Sequence, residues 1–201
     1  MSPPRASPHP GAQQEGKPVN APTVIVLASG RGERFVAAGG STHKLQARLG
    51  DRTVLAHTLA AVQGSGLPWH LEDAGHAGMG DSIAAAVRAT PHAQGWLILP
   101  GDLPLVRSQT LRAVADALQQ HAAVVPVFHG QRGHPVGFAR DCGPALAALT
   151  GDKGAGSVLR AQDAIEMVVD DEGCVADIDT PADLQRASGL LARRQAGAQA
   201  R

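Results

Sequence analysis

The sequence predicts a single α/β domain in which helices cover both faces of a doubly wound, mostly parallel sheet. Short aliphatic runs without polar alternation, typical of strands buried on both faces, alternate along the chain with segments whose apolar residues recur at helical spacing. The length of 201 residues is that of one domain able to bury a sizeable core. Aromatic residues make up only 2% of the chain, so Ala, Val, Leu and Ile are expected to build that core.

The first predicted strand runs from Thr23 to Leu27 and leads into a glycine-rich segment. Small residues follow the strand at four positions: Ala28, Ser29, Gly30 and Gly32. Because they lack bulk, backbone N–H groups there can approach an anion closely. Positive charge comes from three residues: Arg31, Arg34 and Lys44. The segment therefore predicts a loop that binds a triphosphate, with a glycine-rich surface turn bearing solvated arginines as the alternative.

Two familiar phosphate-binding patterns do not fit this loop. A Walker loop requires G-x-x-x-x-G-K-S/T, whereas Lys44 is followed by Leu45 and is not directly preceded by glycine. The dinucleotide fingerprint G-x-G-x-x-G/A can begin at Gly30 and Gly32, but Phe35 then occupies its third glycine position.

The balance of charges argues against a nucleic-acid or membrane partner. The chain has 18 basic and 18 acidic residues and a net charge of zero. No apolar stretch approaches the roughly 18 residues of a membrane span, and no hydrophobic signal segment opens the chain, so a cytoplasmic protein is expected. Cys142 and Cys174 lack C-x-x-C spacing, which favours reduced, structural cysteines over a disulfide framework or a zinc site.

Domain boundaries follow from composition. Residues 1–22 are rich in Pro, Ser, Gln and Gly and are expected to form a disordered tail. The folded domain is predicted to span residues 23–193, and residues 194–201 are expected to form a C-terminal tail.

Helices are predicted where apolar residues recur at helical spacing. The first spans Thr53 to Val62 with Thr53 as its N-cap, and Ser108 is expected to cap another. The other predicted helices are Ile83–Ala89, Gln109–Gln120, Asp141–Leu149, Ser157–Gln162 and Pro181–Arg193. Thr180 followed by Pro181 is a favourable start for the last of them.

Further strands are predicted at Leu67–Glu72, Trp96–Leu99, Ala123–Phe128 and Pro135–Phe138, with a hairpin formed by Ile165–Val169 and Cys174–Ile178. The short connection from Gln63 to Ala77 leaves room for one strand only. Since the preceding helix already provides a crossover, Leu67–Glu72 is predicted to pair directly with the first strand as a short sheet edge that tolerates Pro68.

Two carboxylates are candidates for a divalent metal site. Asp102 follows the strand at Trp96–Leu99, and Asp179 follows the predicted strand at Cys174–Ile178. Ligands of open parallel sheets collect at the carboxyl ends of the strands, and Mg²⁺ usually takes one or two protein carboxylates together with substrate phosphates. A turn residue and a helix-cap neighbour are the alternatives, and Asp177 is the substitute candidate for Asp179.

The segments that carry these residues resemble the molybdenum cofactor cytidylyltransferase family, which has a MobA-like NTP transferase fold. In chain order they are LASGRGERF at 27–35, Lys44, GMGDS at 78–82, LPGDLPLV at 99–106, RGHPVGF at 132–138, GDKGA at 151–155 and DIDTPADL at 177–184. The resemblance implies a Rossmann-like, nucleotide-diphospho-sugar-transferase-like fold. It also implies Mg²⁺-dependent transfer of CMP from CTP to the phosphate of molybdopterin-bound molybdenum, with release of pyrophosphate and formation of molybdopterin cytosine dinucleotide. A molybdenum hydroxylase or dehydrogenase is the expected receiver of the product.

The resemblance also implies residue roles. Nucleotide binding is implied for Leu27, Ala28, Ser29, Gly30, Arg31, Gly32, Arg34, Lys44, Gly78, Met79, Gly80, Ser82 and Asp102. Within that set, Arg31, Lys44 and Asp102 are the catalytic candidates, while His134 and Lys153 are expected to face the pterin substrate. Metal binding is assigned to Asp102 and Asp179.

One strand-helix unit of the family is absent between Gln63 and Ala77. Two alternatives therefore remain at this stage. One is guanylyl or other nucleotidyl transfer to a different phosphorylated acceptor, such as a sugar or lactyl phosphate. The other is a catalytically weak nucleotide- or pterin-binding partner that carries cofactor to a dehydrogenase.

Overall fold

A computed structural model describes residues 21–30 and 32–199. The predicted disordered tail lies outside the described residues except for its last two positions, and so does Arg31 of the glycine loop. Within the described ranges, no helix is both long and apolar enough to cross a bilayer.

Nine strands are found in the described part of the chain. In chain order they are β1 (Thr23–Leu27), β2 (Arg48–Leu49), β3 (Arg52–Thr53), β4 (Trp69–Glu72), β5 (Gly95–Pro100), β6 (Ala123–Phe128), β7 (Gln131–Arg132), β8 (Val136–Ala139) and β9 (Ile165–Val168). Seven of them form one sheet in the order β4-β1-β5-β8-β6-β7, with β9 also paired to β6, while β2 and β3 form a separate small hairpin. Only β8 and β7 run against the other strands of the sheet, which confirms the predicted mostly parallel, doubly wound class.

Helices cover both faces of this sheet. They are α1 (Glu33–Ala37), α2 (Val54–Ser65), α3 (Met79–Ala89), α4 (Ser108–Ala117), α5 (Gly143–Ala147), α6 (Gly156–Ala161) and α7 (Pro181–Gln199). Alternate residues of β1 enter different cores, since Val24 packs in one cluster with α2 and α4 while Ile25 packs in another with α3 and α5. A third cluster joins Phe35, the β2–β3 hairpin and α7.

The short edge strand forms where it was predicted. β4 is parallel to β1, with Val24 opposite Trp69, and α2 provides the crossover. Pro68 lies just before the strand, and its carbonyl oxygen accepts a hydrogen bond from the backbone N–H of Val24 at 2.8 Å. The chain therefore pairs β4 directly with β1, without a further strand-helix unit between them.

The predicted hairpin at Ile165–Val169 and Cys174–Ile178 is wrong. β9 pairs in parallel with β6, and residues Glu172–Cys174 form a 3₁₀ turn in place of a returning strand. The cause is Asp171, whose buried carboxylate accepts hydrogen bonds from the backbone N–H of Gly173 and from the hydroxyl of Thr110. These bonds turn the chain inward, away from the sheet edge.

Ser108 does not cap α4 as predicted. Its hydroxyl donates to the carbonyl oxygen of Ala61 at 2.7 Å, and Arg107 occupies the N-cap position. The backbone N–H of Arg107 donates instead to the carboxylate of Asp171 at 2.8 Å. A residue distant in sequence thus satisfies the helix start.

Several helix limits also differ from prediction. α3 begins at Met79 rather than Ile83, α4 ends at Ala117 rather than Gln120, and Arg140–Cys142 form a 3₁₀ turn before the short α5. α7 runs past the predicted end at Arg193 to Gln199. Arg194 explains the extension, because its guanidinium donates to the carbonyl oxygen of Leu105 at 2.5 Å and to Asp171 at 3.1 Å.

Candidate active site

A cleft of about 790 Å³ opens beyond the carboxyl ends of β1 and β5. Its described lining comes from seven parts of the chain: the end of β1 with the glycine loop and the start of α1, Lys44–Leu45, His76 to the first turn of α3, Pro100–Leu103, Gln131–His134, Asp152, and Cys174–Asp179. The carboxyl ends of parallel strands are where open α/β sheets bind ligands. The cleft therefore unites most of the segments that the sequence analysis selected.

The glycine loop is held by contacts that require small residues. Gly32 has φ of 65°, and a side chain there would meet the ring of His43 at 2.9 Å. The His43 ring in turn lies 2.6 Å from the carbonyl oxygen of Gly30. The hydroxyl of Ser29 lies 2.8 Å from that of Ser82, which joins this loop to the start of α3.

Lys44 joins the two carboxylates selected from the sequence. Its Nζ lies 2.5 Å from Asp102 Oδ2 and 2.8 Å from Asp179 Oδ1, and all three side chains are at least two-thirds buried. Arg34 adds a 2.8 Å ion pair to the other oxygen of Asp179, although its own side chain is 82% exposed. The structure thus brings Lys44 and Arg34, two of the three predicted phosphate-binding cations, together with both predicted metal ligands.

Asp179 reaches this point by a route that the sequence analysis did not predict. It follows irregular chain rather than a strand, and the backbone N–H of Ile178 donates to the carbonyl oxygen of Asp102 at 3.0 Å. Asp183 in the first turn of α7 accepts hydrogen bonds from the backbone N–H groups of Asp179 and Thr180, while the Thr180 hydroxyl accepts from the N–H of Asp183. This reciprocal cap fixes the loop that carries Asp179.

The ion pairs set the protonation states of the cluster. Burial lowers the pKa of Lys44, but the charges of Asp102 and Asp179 and their hydrogen bonds outweigh it, so the pKa is raised. The hydrogen bond from Lys44 is the main reason why the pKa of Asp179 is lowered. Burial raises the pKa of Asp177, and the nearby charges of Asp102 and Asp179 add to this effect. Asp179 is therefore a better anionic ligand than its substitute candidate Asp177.

The carboxylates fit a divalent cation that is completed by substrate oxygens. Oδ1 of Asp102 is buried and has no hydrogen-bond partner among the described residues, so one anionic oxygen is available to a ligand. In the described ranges, no group of three or more His, Cys, Asp or Glu residues could hold a metal by itself. Two carboxylates with substrate phosphates are the usual arrangement for Mg²⁺.

The second glycine segment opens α3 against the loop at 150–153. A side chain at Gly78 would lie 2.2 Å from the carbonyl carbon of Gly151, and the backbone N–H of Gly80 donates to the carbonyl oxygen of Gly151 at 2.8 Å. Asp152 of this loop lines the cleft together with Gly78, Met79 and Ser82 at the start of α3. Lys153 is exposed, and its carbonyl oxygen packs near Gly80 rather than its side chain lining the described cleft.

His134 lines the opposite wall beside a cis peptide bond to Pro135. Its backbone N–H donates to the carbonyl oxygen of Cys174 at 2.8 Å. Burial lowers the pKa of His134, and this outweighs a hydrogen bond with the backbone of Ile98 and the charge of Asp102, both of which raise it. The imidazole is consequently neutral near pH 7, and its buried Nδ1 has no hydrogen-bond partner in the part of the chain that the structure describes.

Several cleft residues were not selected from the sequence, among them three with ionisable side chains. Glu33 and Arg132 line the cleft, and so does His76 in the segment before α3. Arg132 forms a 2.7 Å ion pair with Glu166 on β9. Each lies within or beside a segment that was selected, but the contacts that bring it to the cleft join distant parts of the chain.

This fold and cleft define an α/β nucleotide-binding domain of the nucleotide-diphospho-sugar transferase fold. The sequence model of the MobA-like NTP transferase domain matches residues 58–165, more than half of the chain. The chain belongs to this family.

Comparison with curated proteins gives more distant relatives. The chain is 31% identical over 141 residues to the bifunctional protein GlmU of Stenotrophomonas maltophilia, and the match covers 58% of this chain and 29% of that protein. A match to GlmU of Xylella fastidiosa is 26% identical and covers 66% of this chain and 33% of that protein. The chain thus spans about a third of the length of these relatives.

Solved structures match over more of the chain. Rv0371c from Mycobacterium tuberculosis superposes with a TM-score of 0.70 at 26% identity, covering 85% of this chain and 98% of that one. A complex of Rv0371c with manganese gives a TM-score of 0.66 at 26% identity, covering 84% and 98%. Molybdopterin-guanine dinucleotide biosynthesis protein A from Archaeoglobus fulgidus, at 19% identity and a TM-score of 0.63 over 85% and 99%, shares the fold.

Proposed function

We propose that this protein is a cytoplasmic nucleotidyltransferase that transfers CMP from CTP to the phosphate of molybdenum cofactor. The products would be molybdopterin cytosine dinucleotide and pyrophosphate. The observation that carries this proposal is the placement of Lys44 between Asp102 and Asp179 on the cleft wall next to a glycine loop. Cations for phosphates and carboxylates for a divalent metal are the parts that nucleotidyl transfer needs.

In the proposed reaction, an oxygen of the acceptor phosphate bonds to the α-phosphorus of CTP. The bond from that phosphorus to the bridging oxygen of the β-phosphate breaks, and pyrophosphate leaves with the bonding electrons. Backbone N–H groups of the glycine loop bind phosphate oxygens, and the ammonium of Lys44 neutralises charge on the leaving pyrophosphate. Arg34, which is exposed at the rim, binds the outer phosphates. Arg31 is assigned the same role from the sequence.

Asp102 and Asp179 would hold Mg²⁺, which when bound neutralises phosphate charge and polarises the α-phosphate. Oδ1 of Asp102 has no hydrogen-bond partner among the described residues, which supports Asp102 as a metal ligand. The manganese complex of Rv0371c, a structural neighbour at 26% identity, supports the use of a divalent ion in this fold. Lys44 contacts the same carboxylates that would hold the metal, so its ammonium would move towards the phosphates when substrate binds.

The opposite wall is proposed to receive the pterin substrate. His134 lines it as a neutral imidazole, and Arg132 supplies positive charge suited to the acceptor phosphate. Lys153 is assigned to the acceptor by family resemblance, and its exposed position suits contact with a large substrate at the rim. The choice of CTP and molybdenum cofactor is drawn from the segments RGHPVGF and GDKGA. The product would pass to a molybdenum hydroxylase or dehydrogenase.

The decisive experiment supplies purified protein with molybdenum cofactor, Mg²⁺ and each nucleoside triphosphate in turn. Product mass and pyrophosphate release are measured together. We expect pyrophosphate and a cytosine dinucleotide product with CTP. Preferential formation of a guanine dinucleotide from GTP would show that GTP, and not CTP, is the donor. Nucleotide binding without pyrophosphate release from any triphosphate would instead support a non-catalytic cofactor carrier.

A further inference from the structure

A buried carboxylate joins two histidines where the edge strand β4 meets the cleft. The side chain of Glu72, the last residue of β4, is only 8% exposed. Its Oε1 lies 3.2 Å from Nε2 of His76, and its Oε2 lies 3.5 Å from Nε2 of His70. None of the three residues has a role in the phosphate and metal chemistry described above.

Glu72 also links the two loops that line the nucleotide side of the cleft. Its carbonyl oxygen accepts a hydrogen bond from the backbone N–H of Ala28, the first residue of the glycine loop, at 2.8 Å. Its Oε1 accepts from the backbone N–H of Ala74 at 3.1 Å, which fixes the start of the segment leading to Gly78. His76 lies in that segment and lines the cleft, whereas His70 is not among the described lining residues.

The contact with Glu72 determines which nitrogen of His76 a ligand can use. A carboxylate only accepts hydrogen bonds, so Nε2 carries the hydrogen and donates it. In the neutral ring Nδ1 is then an acceptor, and no hydrogen bond to it is found in the described structure. A ligand that donates an N–H can complete the site.

We propose that His76 reads the base of the bound nucleotide through Nδ1, and that Glu72 is the positioning residue that holds its ring. The partner group would be an exocyclic amine, such as N4 of cytosine, which uracil replaces with a carbonyl oxygen. This inference rests on the proposed function and deepens it, because it assigns base selection to a residue on the segment between β4 and α3. Met79, which is 51% exposed in the same wall, provides apolar contact for a base.

The test compares binding of CTP and UTP by calorimetry, in the presence of Mg²⁺ and without acceptor. Wild-type protein should favour CTP by about threefold to tenfold, the range of one net hydrogen bond. His76→Ala should bring the ratio close to one, mainly by weakening CTP binding. Glu72→Gln should lower the CTP to UTP ratio as well. The amide can donate to Nε2 of His76, and the ring can then carry its hydrogen on Nδ1, where it no longer accepts from the base.

His70→Ala is the matched control. It removes a histidine that contacts the same carboxylate but does not line the described cleft, so the CTP to UTP ratio should stay as in the wild type. Circular dichroism and thermal unfolding of all three variants establish that they are folded. An equal loss of CTP and UTP binding in His76→Ala would overturn the inference, as would an unchanged ratio or a wild-type preference for UTP.

A second nucleotide pair separates this inference from the proposed function. GTP and ITP differ only in the amine at position 2 of the purine. If the wild type binds GTP but not CTP, the proposed cytidylyl transfer fails, and base reading is judged on the GTP to ITP ratio instead. Loss of that ratio in His76→Ala would support base reading, and its persistence would overturn it.

Discussion

Replacing Lys44 by methionine tests whether its ammonium occupies the place of the divalent cation. Nζ contacts Asp102 Oδ2 at 2.5 Å and Asp179 Oδ1 at 2.8 Å, so its charge lies between the two carboxylates and opposes a metal that binds to both without nucleotide. We expect Lys44→Met to bind Mn²⁺ more tightly than the wild type in the absence of nucleotide. Turnover should nevertheless fall about 100-fold or more, because the charge that neutralises the leaving pyrophosphate is gone.

The size of the affinity gain follows from the two contacts. A hydrogen bond between charged groups contributes about 1.5–3 kcal/mol, and the 32% exposure of Asp179 puts the second contact at or below the lower end of that range. These values are already net of hydration, but the two contacts share one ammonium and do not add in full. A net penalty of about 2–3 kcal/mol remains, and its removal should lower the Kd for Mn²⁺ roughly 30- to 150-fold.

The assay is titration of Mn²⁺ into nucleotide-free protein, followed by electron paramagnetic resonance of the free ion. Arg34→Met is the control, because Arg34 also contacts Asp179 but is 82% exposed, and its loss should change the Kd less than about threefold. Thermal unfolding shows whether each variant is folded. A Kd of folded Lys44→Met within about twofold of the wild-type value would refute the reasoning.

Three further predictions follow from the same structure. Asp102→Asn should lose turnover about 100-fold or more while remaining folded, because an amide is a poor ligand for Mg²⁺, and wild-type rates at limiting Mg²⁺ would contradict this. Gly78→Ala should lose about 1–3 kcal/mol of unfolding free energy in urea, since its Cβ would lie 2.2 Å from a carbonyl carbon, whereas Gly75→Ala has open space and should change little. Asp179→Asn should make the free energy of unfolding fall less steeply as the pH is lowered into the acid range. The lowered pKa of Asp179 stabilises the fold above its ordinary value of 3.8, and this contribution disappears as pH falls through the lowered pKa. An unchanged loss of stability between about pH 5 and 2 in that variant would contradict the assignment.

Strands that are rich in aliphatic residues and lack polar alternation were predictable because this pattern is typical of strands buried on both faces. β1 and β6 match the predicted bounds, and β5 differs from its prediction by one residue at each end. The missing strand-helix unit did not obscure β4, since chain length alone required the crossover through α2. Local propensity and connection length were therefore enough to predict most strands of the sheet.

The part of the fold that was predicted wrongly depends on one buried side chain. Asp171 binds the start of α4, the turn at Gly173 and the guanidinium of Arg194. No local pattern shows that an aspartate in the run Asp170-Asp171-Glu172 is buried. Contacts between distant segments decided the turn, the cap of α4 and the length of α7.

The candidate site shows the same division. Lys44 and Asp102 were selected because their residue types suit phosphates and metal near a strand end. Asp179 was selected too, but the hydrogen bond from Ile178 to the carbonyl of Asp102 that brings it there cannot be read from sequence. Nothing in the sequence around His76 indicated a role in the site. Only its contact with Glu72 and its place in the cleft distinguish it from other histidines.

The reciprocal cap at the start of α7 has a consequence for how the site is assembled during synthesis. Asp179 and Asp183 follow β9, the last strand, so every strand of the sheet precedes them in the order of translation. The glycine loop and Asp102 are therefore synthesised before the second carboxylate. The pair of carboxylates is thus complete only once the first turn of α7 has formed and its cap holds Asp179 in place.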